Sequence, residues 1–176
     1  MQTLNLFSEL GAMFLIRWIH FLAGITWIGI LYYFNFVQGP FLASVEEAAT
    51  KKDVTTKLLP RALWWFRWGA LVTVLAGLIL YYELGARGGN MGAWMGTAQG
   101  VTITIGGILG IIMLFNVWVL IWPNQKKIIA AVGEGKAPTD LGGKPRVAFL
   151  ASRTNTMRSI PMLFLMAASA HMPSWA

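Results

Sequence analysis

From about Gly11 to Val37 the chain is apolar for longer than a bilayer requires, yet the run carries Arg17 and His20. A spanning helix needs roughly 20 apolar residues, so this stretch predicts a transmembrane helix that tilts or extends past the hydrocarbon. An ionisable side chain inside such a span is costly unless it faces a partner or a cavity, and therefore marks a functional position. Arg17, His20, Gly24 and Trp27 follow one another at three, four and three residues, which puts them on one helical face. That face offers a metal ligand, a cation one turn outward and a glycine gap one turn inward.

Composition supports the membrane reading. Charged residues make up 12% of the chain and hydrophobic ones 56%, whereas about a quarter of a soluble domain is charged. The 176 residues fit one transmembrane helical domain whose core is a bundle in lipid. A net charge of +7 would suggest nucleic acid in a soluble protein, but here the basic residues gather in two loops, which the positive-inside rule explains without nucleic acid. The absence of cysteine excludes disulfides, iron–sulfur clusters, thiolate ligands and covalent c-type haem. The first apolar run is too long for a signal peptide and reads as a retained helix.

Four spans are expected, at about 11–37, 63–82, 101–122 and 160–172, joined by basic loops 38–62 and 123–159. Gln38-Gly39-Pro40 is expected to close the first span, and residues 41–60 to include a short surface helix. Pro60 opens the second, and Pro161 falls in the first turn of the fourth. Trp64, Trp65 and Trp68 suit an interfacial aromatic belt, and Arg67, one turn inside, suits a snorkelling cation. Gly69, Thr73 and Gly77, and likewise Gly106 and Gly110, recur every fourth residue and make ridges for close helix contact. Asn116 reads as an interhelical hydrogen-bonding residue rather than a ligand. Basic residues number four in the first loop, seven in the second and one (Arg87) between the second and third spans. Both termini are therefore expected in the periplasm and both basic loops in the cytoplasm, in a multi-pass protein of the bacterial inner membrane.

The only histidines are His20 and His171. Under this topology both fall in the outer half of the membrane. Two neutral imidazoles on facing helices suit the two faces of a haem b iron, with Gly24 and Ala167 leaving room for the porphyrin and Arg17 placed for a propionate. The alternative is ordinary hydrogen bonding of both histidines within the bundle. Gly133-Glu134-Gly135-Lys136 lacks the spacing of a phosphate-binding loop. No carboxylate stands at metal-ligand spacing from either histidine, and no Ser-His-Asp set is readable.

Four blocks of residues also resemble a known family. They are Arg17-Trp18-Ile19-His20 with Gly24 and Trp27-Ile28-Gly29; Leu59-Pro60, Trp65-Phe66-Arg67-Trp68, Gly77 and Tyr81-Tyr82; Gly110-Ile111-Ile112-Met113 with Asn116-Val117, Pro123 and Gln125; and Asn155 with Pro161, Leu163-Phe164, Met166, His171 and Pro173. Taken in order, these resemble the membrane-embedded N-terminal domain of bacterial membrane-bound urate oxidases (urate hydroxylases), in a shortened form without the cytochrome c domain. Two further histidines that the resemblance implies stand here as Thr104 and Thr154. His20 and His171 remain as the implied ligands.

Three functions are in play. The leading one is a b-type haem subunit moving electrons between quinol or a partner subunit and a periplasmic acceptor such as cytochrome c. The others are a non-redox accessory subunit of a larger membrane complex and a urate-oxidising membrane protein.

Overall fold

Long apolar runs without internal breaks become long helices, because in lipid each backbone N–H must find its acceptor within the segment. The computed structural model describes residues 8–171. Its helices are α1 (Glu9–Ser44), α2 (Ala48–Arg87), the short α3 (Met91–Met95), α4 (Ala98–Gly133) and α5 (Lys144–His171), with one 3₁₀ turn at Pro138–Leu141. No strand occurs among the described residues. Three helices, α1, α2 and α4, are long and apolar enough to cross a membrane. Many large apolar side chains on the outside, Phe14, Phe21, Ile25, Leu75, Ile108 and Phe115 among them, are exposed, a surface suited to lipid rather than water.

The helices start where the sequence supplies caps. Ser8 accepts from the Gly11 N–H at 3.1 Å, Asn90 from Gly92 and Ala93, and Thr97 from Gly100 at 3.0 Å, each satisfying an orphan donor of a first turn. Gly89, just past α2, turns the chain at φ 76°, a conformation that glycine adopts without a Cβ penalty.

The expected loops are mostly helix. Gln38-Gly39-Pro40 does not close α1, which runs on to Ser44, and α2 begins at Ala48 rather than after Pro60. Three prolines are absorbed in the same way. Ahead of Pro40, Pro60 and Pro123 the helix widens by one residue, at Tyr33–Gln38, Val54–Leu58 and Asn116–Ile121. In each case the residue before the proline donates five residues back: Gly39 to Phe34, Leu59 to Val54 and Trp122 to Val117. A proline ring clashes with the carbonyl four residues earlier and lacks an N–H; the extra residue moves that carbonyl aside and keeps the ladder bonded. Pro161 lies inside α5 rather than in a first turn, because α5 begins at Lys144.

The closest helix pairs are α1 with α2 and α4 with α5. The ridge on α2 works as expected: a Cβ on Gly69 would lie 3.3 Å from the Ala23 carbonyl, and one on Gly77 would lie 3.0 Å from His20 Cε1. Gly106 meets α5 similarly, 3.3 Å from Leu165 Cβ, whereas a Cβ on Gly110 would meet nothing within 4 Å. The core gathers Trp27, Leu31, Leu63, Phe66, Met113 and Val117.

The inner face of α5 is small and polar. Asn155 is fully buried, accepts from Asn116 Nδ2 at 2.8 Å and donates to the Met113 carbonyl at 2.9 Å. Tyr32 donates to Ser159 Oγ at 2.9 Å, since that hydroxyl donates onward to the Thr156 carbonyl, and Asn35 donates to Ser152 Oγ at 2.8 Å. These bonds tie α5 to both α1 and α4. Interhelical bonds of this kind contribute about 0.6–2 kcal/mol each in membranes. Asn155→Leu should therefore lower resistance to SDS unfolding by about 1–3 kcal/mol. A double-mutant cycle of Asn116→Ala with Asn155→Ala should show positive coupling, and strict additivity would mean that the pair does not join the helices.

Candidate functional site

The glycine on α2 opposite His20 decides where the imidazole goes. With no side chain at Gly77, the ring lies against α2 and His20 Nδ1–H donates to the Thr73 carbonyl at 2.8 Å. A neutral imidazole that donates through Nδ1 keeps its lone pair on Nε2. A carbonyl behind the other ring nitrogen is also what fixes tautomer and orientation in metal-ligating histidines. Thr73 is itself held, its hydroxyl donating to the Gly69 carbonyl at 2.7 Å.

His20 lines a cavity of about 550 Å³ among α1, α2, α4 and α5, within the range of small-molecule and cofactor sites. Its walls are almost wholly apolar. Gly24, Gly29, Gly107 and Gly110 all border it, and a Cβ on Gly29, Gly107 or Gly110 would meet nothing within 4 Å. The glycines thus keep open a space that larger side chains would occupy. Two polar features interrupt the walls. Tyr81 donates to Thr104 Oγ1 at 2.8 Å, because Thr104 donates to the Gly100 carbonyl at 2.6 Å. Trp27 is 1% exposed and its indole Nε1 has no hydrogen-bond partner among the described residues.

The four residues singled out from sequence are distributed unevenly. His20 and Gly24 line this cavity. Arg17 is exposed on α1 and does not. His171 is the last described residue of α5, exposed and outside the cavity lining. Met166, which does line it, stands five residues earlier, a rotation of about 140° at 3.6 residues per turn. That rotation separates the two faces of α5. No group of three or more metal-ligating His, Asp or Glu side chains occurs among the described residues.

Sequence reading missed Thr73, Tyr81 and Met166 as parts of the site. The four-residue spacing of Gly69, Thr73 and Gly77 was legible as a packing ridge, but only the structure shows that its last step seats a histidine. Arg67, expected to snorkel, instead faces three indoles, with its guanidinium carbon 4.1 Å from the Trp122 ring centroid and within 5.7 Å of those of Trp68 and Trp118.

Gly77→Val should push the imidazole off α2. In ¹⁵N NMR of histidine-labelled protein, the wild type should show an Nδ1-protonated His20, and Gly77→Val should lose that signature. An unchanged tautomer in the variant would contradict the seat described here.

Among known proteins, no curated protein matches the chain, and no solved structure does. A family model does match: the one described as urate oxidase N-terminal covers residues 91–176, just under half of the chain. That half supplies α4 and α5, with Thr104, Gly107 and Met166 of the cavity and the Asn116–Asn155 pair; His20 lies outside it. Over residues 91–176 the chain is therefore urate oxidase N-terminal-like.

Proposed function

We propose that the chain is a membrane electron-transfer subunit that holds one b-type haem in the cavity beside His20. The observation that carries this reading is the His20–Thr73 hydrogen bond at the edge of a glycine-lined apolar cavity. Nδ1 is occupied by the carbonyl, so Nε2 is the nitrogen left to bind iron. Gly24, Gly107 and Gly110 would give the flat macrocycle its room, and the apolar walls would keep water from it. Bound there, a haem supplies one-electron redox chemistry. As a second iron ligand the chain offers Met166, which lines the cavity; His171, the ligand expected from the sequence, is exposed outside that lining and would have to reach the iron from another face of α5. Arg17 is the cation nearest in sequence for a propionate.

In this reading α5 is a fourth span. Its Lys144, Arg146 and Arg153 lie at the same end as Lys51, Lys52, Lys126 and Lys127, and that end is cytoplasmic by the positive-inside rule. Both termini are then periplasmic in a bacterial inner membrane, and His20 lies toward the periplasmic side, where a cytochrome c or a partner subunit would exchange electrons. Quinol is the donor class available within the bilayer. The family match favours a second reading, participation in urate oxidation, which predicts urate consumption by membranes containing the chain together with a cytochrome partner. A non-redox accessory subunit is the remaining possibility, and it predicts a colourless protein within a larger complex.

The test is a dithionite-reduced minus oxidised visible spectrum of the purified chain and its variants. His20→Ala and the cavity-filling Gly107→Leu should both abolish a b-type spectrum while leaving helix content intact. Loss in His171→Ala alone, or in Met166→Ala alone, would identify the second ligand. A featureless wild-type spectrum, or one that survives His20→Ala, would overturn the assignment.

A further inference from the structure

A second cavity, of about 570 Å³, lies at the other end of the bundle, where the C-terminal ends of α1 and α4 meet the N-terminal ends of α2 and α5. The three widened turns converge on it: Phe34, Asn35 and Gln38 come from the first, Thr55 from the second and Ile121 from the third. Widened turns of this kind occur frequently at functional sites. Unlike the cavity at His20, this one is lined by carboxamides. Gln38 is 5% exposed, and its Oε1 is buried without a hydrogen-bond partner among the described residues. Gln125 on α4 also borders the cavity and carries a second buried Oε1 without a partner among them.

An unpaired buried carbonyl is destabilising, and a leucine at either position would avoid that. Two such carboxamides border one cavity, and with its oxygen turned toward the opening each would accept from an occupant that donates hydrogen bonds. The rim supplies the second half of the chemistry. Arg153 lines the cavity, exposed, with its guanidinium carbon 5.2 Å from the Phe149 ring centroid, and no carboxylate pairs with it among the described residues. Among the described residues no Asp or Glu lines the cavity, and the lysines and arginines at this end of the bundle outnumber Glu46, Glu47, Asp53, Glu134 and Asp140 there, a field that gathers anions. A lipid headgroup whose only polar group is its phosphate would meet the arginine but leave the carboxamides unpaired.

We infer that this cavity binds a small organic anion that also carries an O–H or N–H donor, its negative charge at Arg153 and its donor at Gln38 and Gln125. The inference is independent of the haem reading, because His20 and Gln38 stand 18 residues apart on α1, roughly 27 Å at 1.5 Å per residue, and the two cavities share no lining residue.

The experiment is calorimetric titration of the full chain in nanodiscs with three probes: 4-hydroxybenzoate (anion and donor), benzoate (anion only) and phenol (donor only). 4-Hydroxybenzoate should bind saturably and at least tenfold more tightly than either of the others. Gln38→Leu should erase its advantage over benzoate while leaving the protein at least as resistant to thermal unfolding. Arg153→Gln should weaken 4-hydroxybenzoate and benzoate alike and leave phenol unchanged. No saturable binding of 4-hydroxybenzoate, equal binding of all three probes, or an advantage that persists in Gln38→Leu would each overturn the proposal. So would competition of 4-hydroxybenzoate by anionic phospholipid with no effect of Gln38→Leu, which would make the cavity a lipid site.

Discussion

The bundle depends on a polar seam that α5 presents to α1 and α4. In lipid there is no hydrophobic force to press helices together, so close packing and interhelical hydrogen bonds have to do it. Ser152, Asn155 and Ser159 stand at three and four residues along one face of α5, and each is bonded to a partner on α1 or α4. Asn155, bonded both to a side chain and to a backbone carbonyl of α4, fixes the two helices in rotation as well as in register. The cavity at His20 lies among α1, α2, α4 and α5, and its shape follows from that seam on one side and the α1–α2 ridge on the other.

The two cavities divide the molecule chemically. At one end glycines and aliphatic side chains enclose an apolar space touched by a single imidazole with a fixed tautomer. At the other, carboxamides and the Arg153 guanidinium border a more polar one. Proline placement underlies the second: Pro40, Pro60 and Pro123 each force a wider turn, and each turn supplies at least one residue to the lining.

The three most apolar helices were legible in the sequence because length and hydropathy suffice to specify a span. So were the α2 ridge, whose small residues keep a strict four-residue spacing, and Asn116 as an interhelical donor. Helix ends were not. Gln38-Gly39-Pro40 reads as a terminator, because the remedy of one extra residue in the turn leaves no mark in composition. Residues 144–159 read as a basic loop because their buried face is Ala148, Ala151, Asn155 and Ser159 rather than aliphatic, so no hydropathy signal announces the helix. His20 was found as an ionisable residue in a span, but its seat depends on Gly77, 57 positions later. His171 was paired with it on depth alone, and depth does not specify which face of α5 it occupies.

Thr104 sharpens the account. It lines the cavity with His20 and is bonded to Tyr81, at a position where the family resemblance implies a histidine. One imidazole within the cavity is what this chain supplies, and the proposed haem depends on it. The most direct measurement is haem stoichiometry, by pyridine haemochrome assay, of the chain purified from haem-replete membranes. About one haem b per chain is predicted. A preparation that is folded, helical and free of haem would contradict the account and leave His20 as a structural tie between α1 and α2.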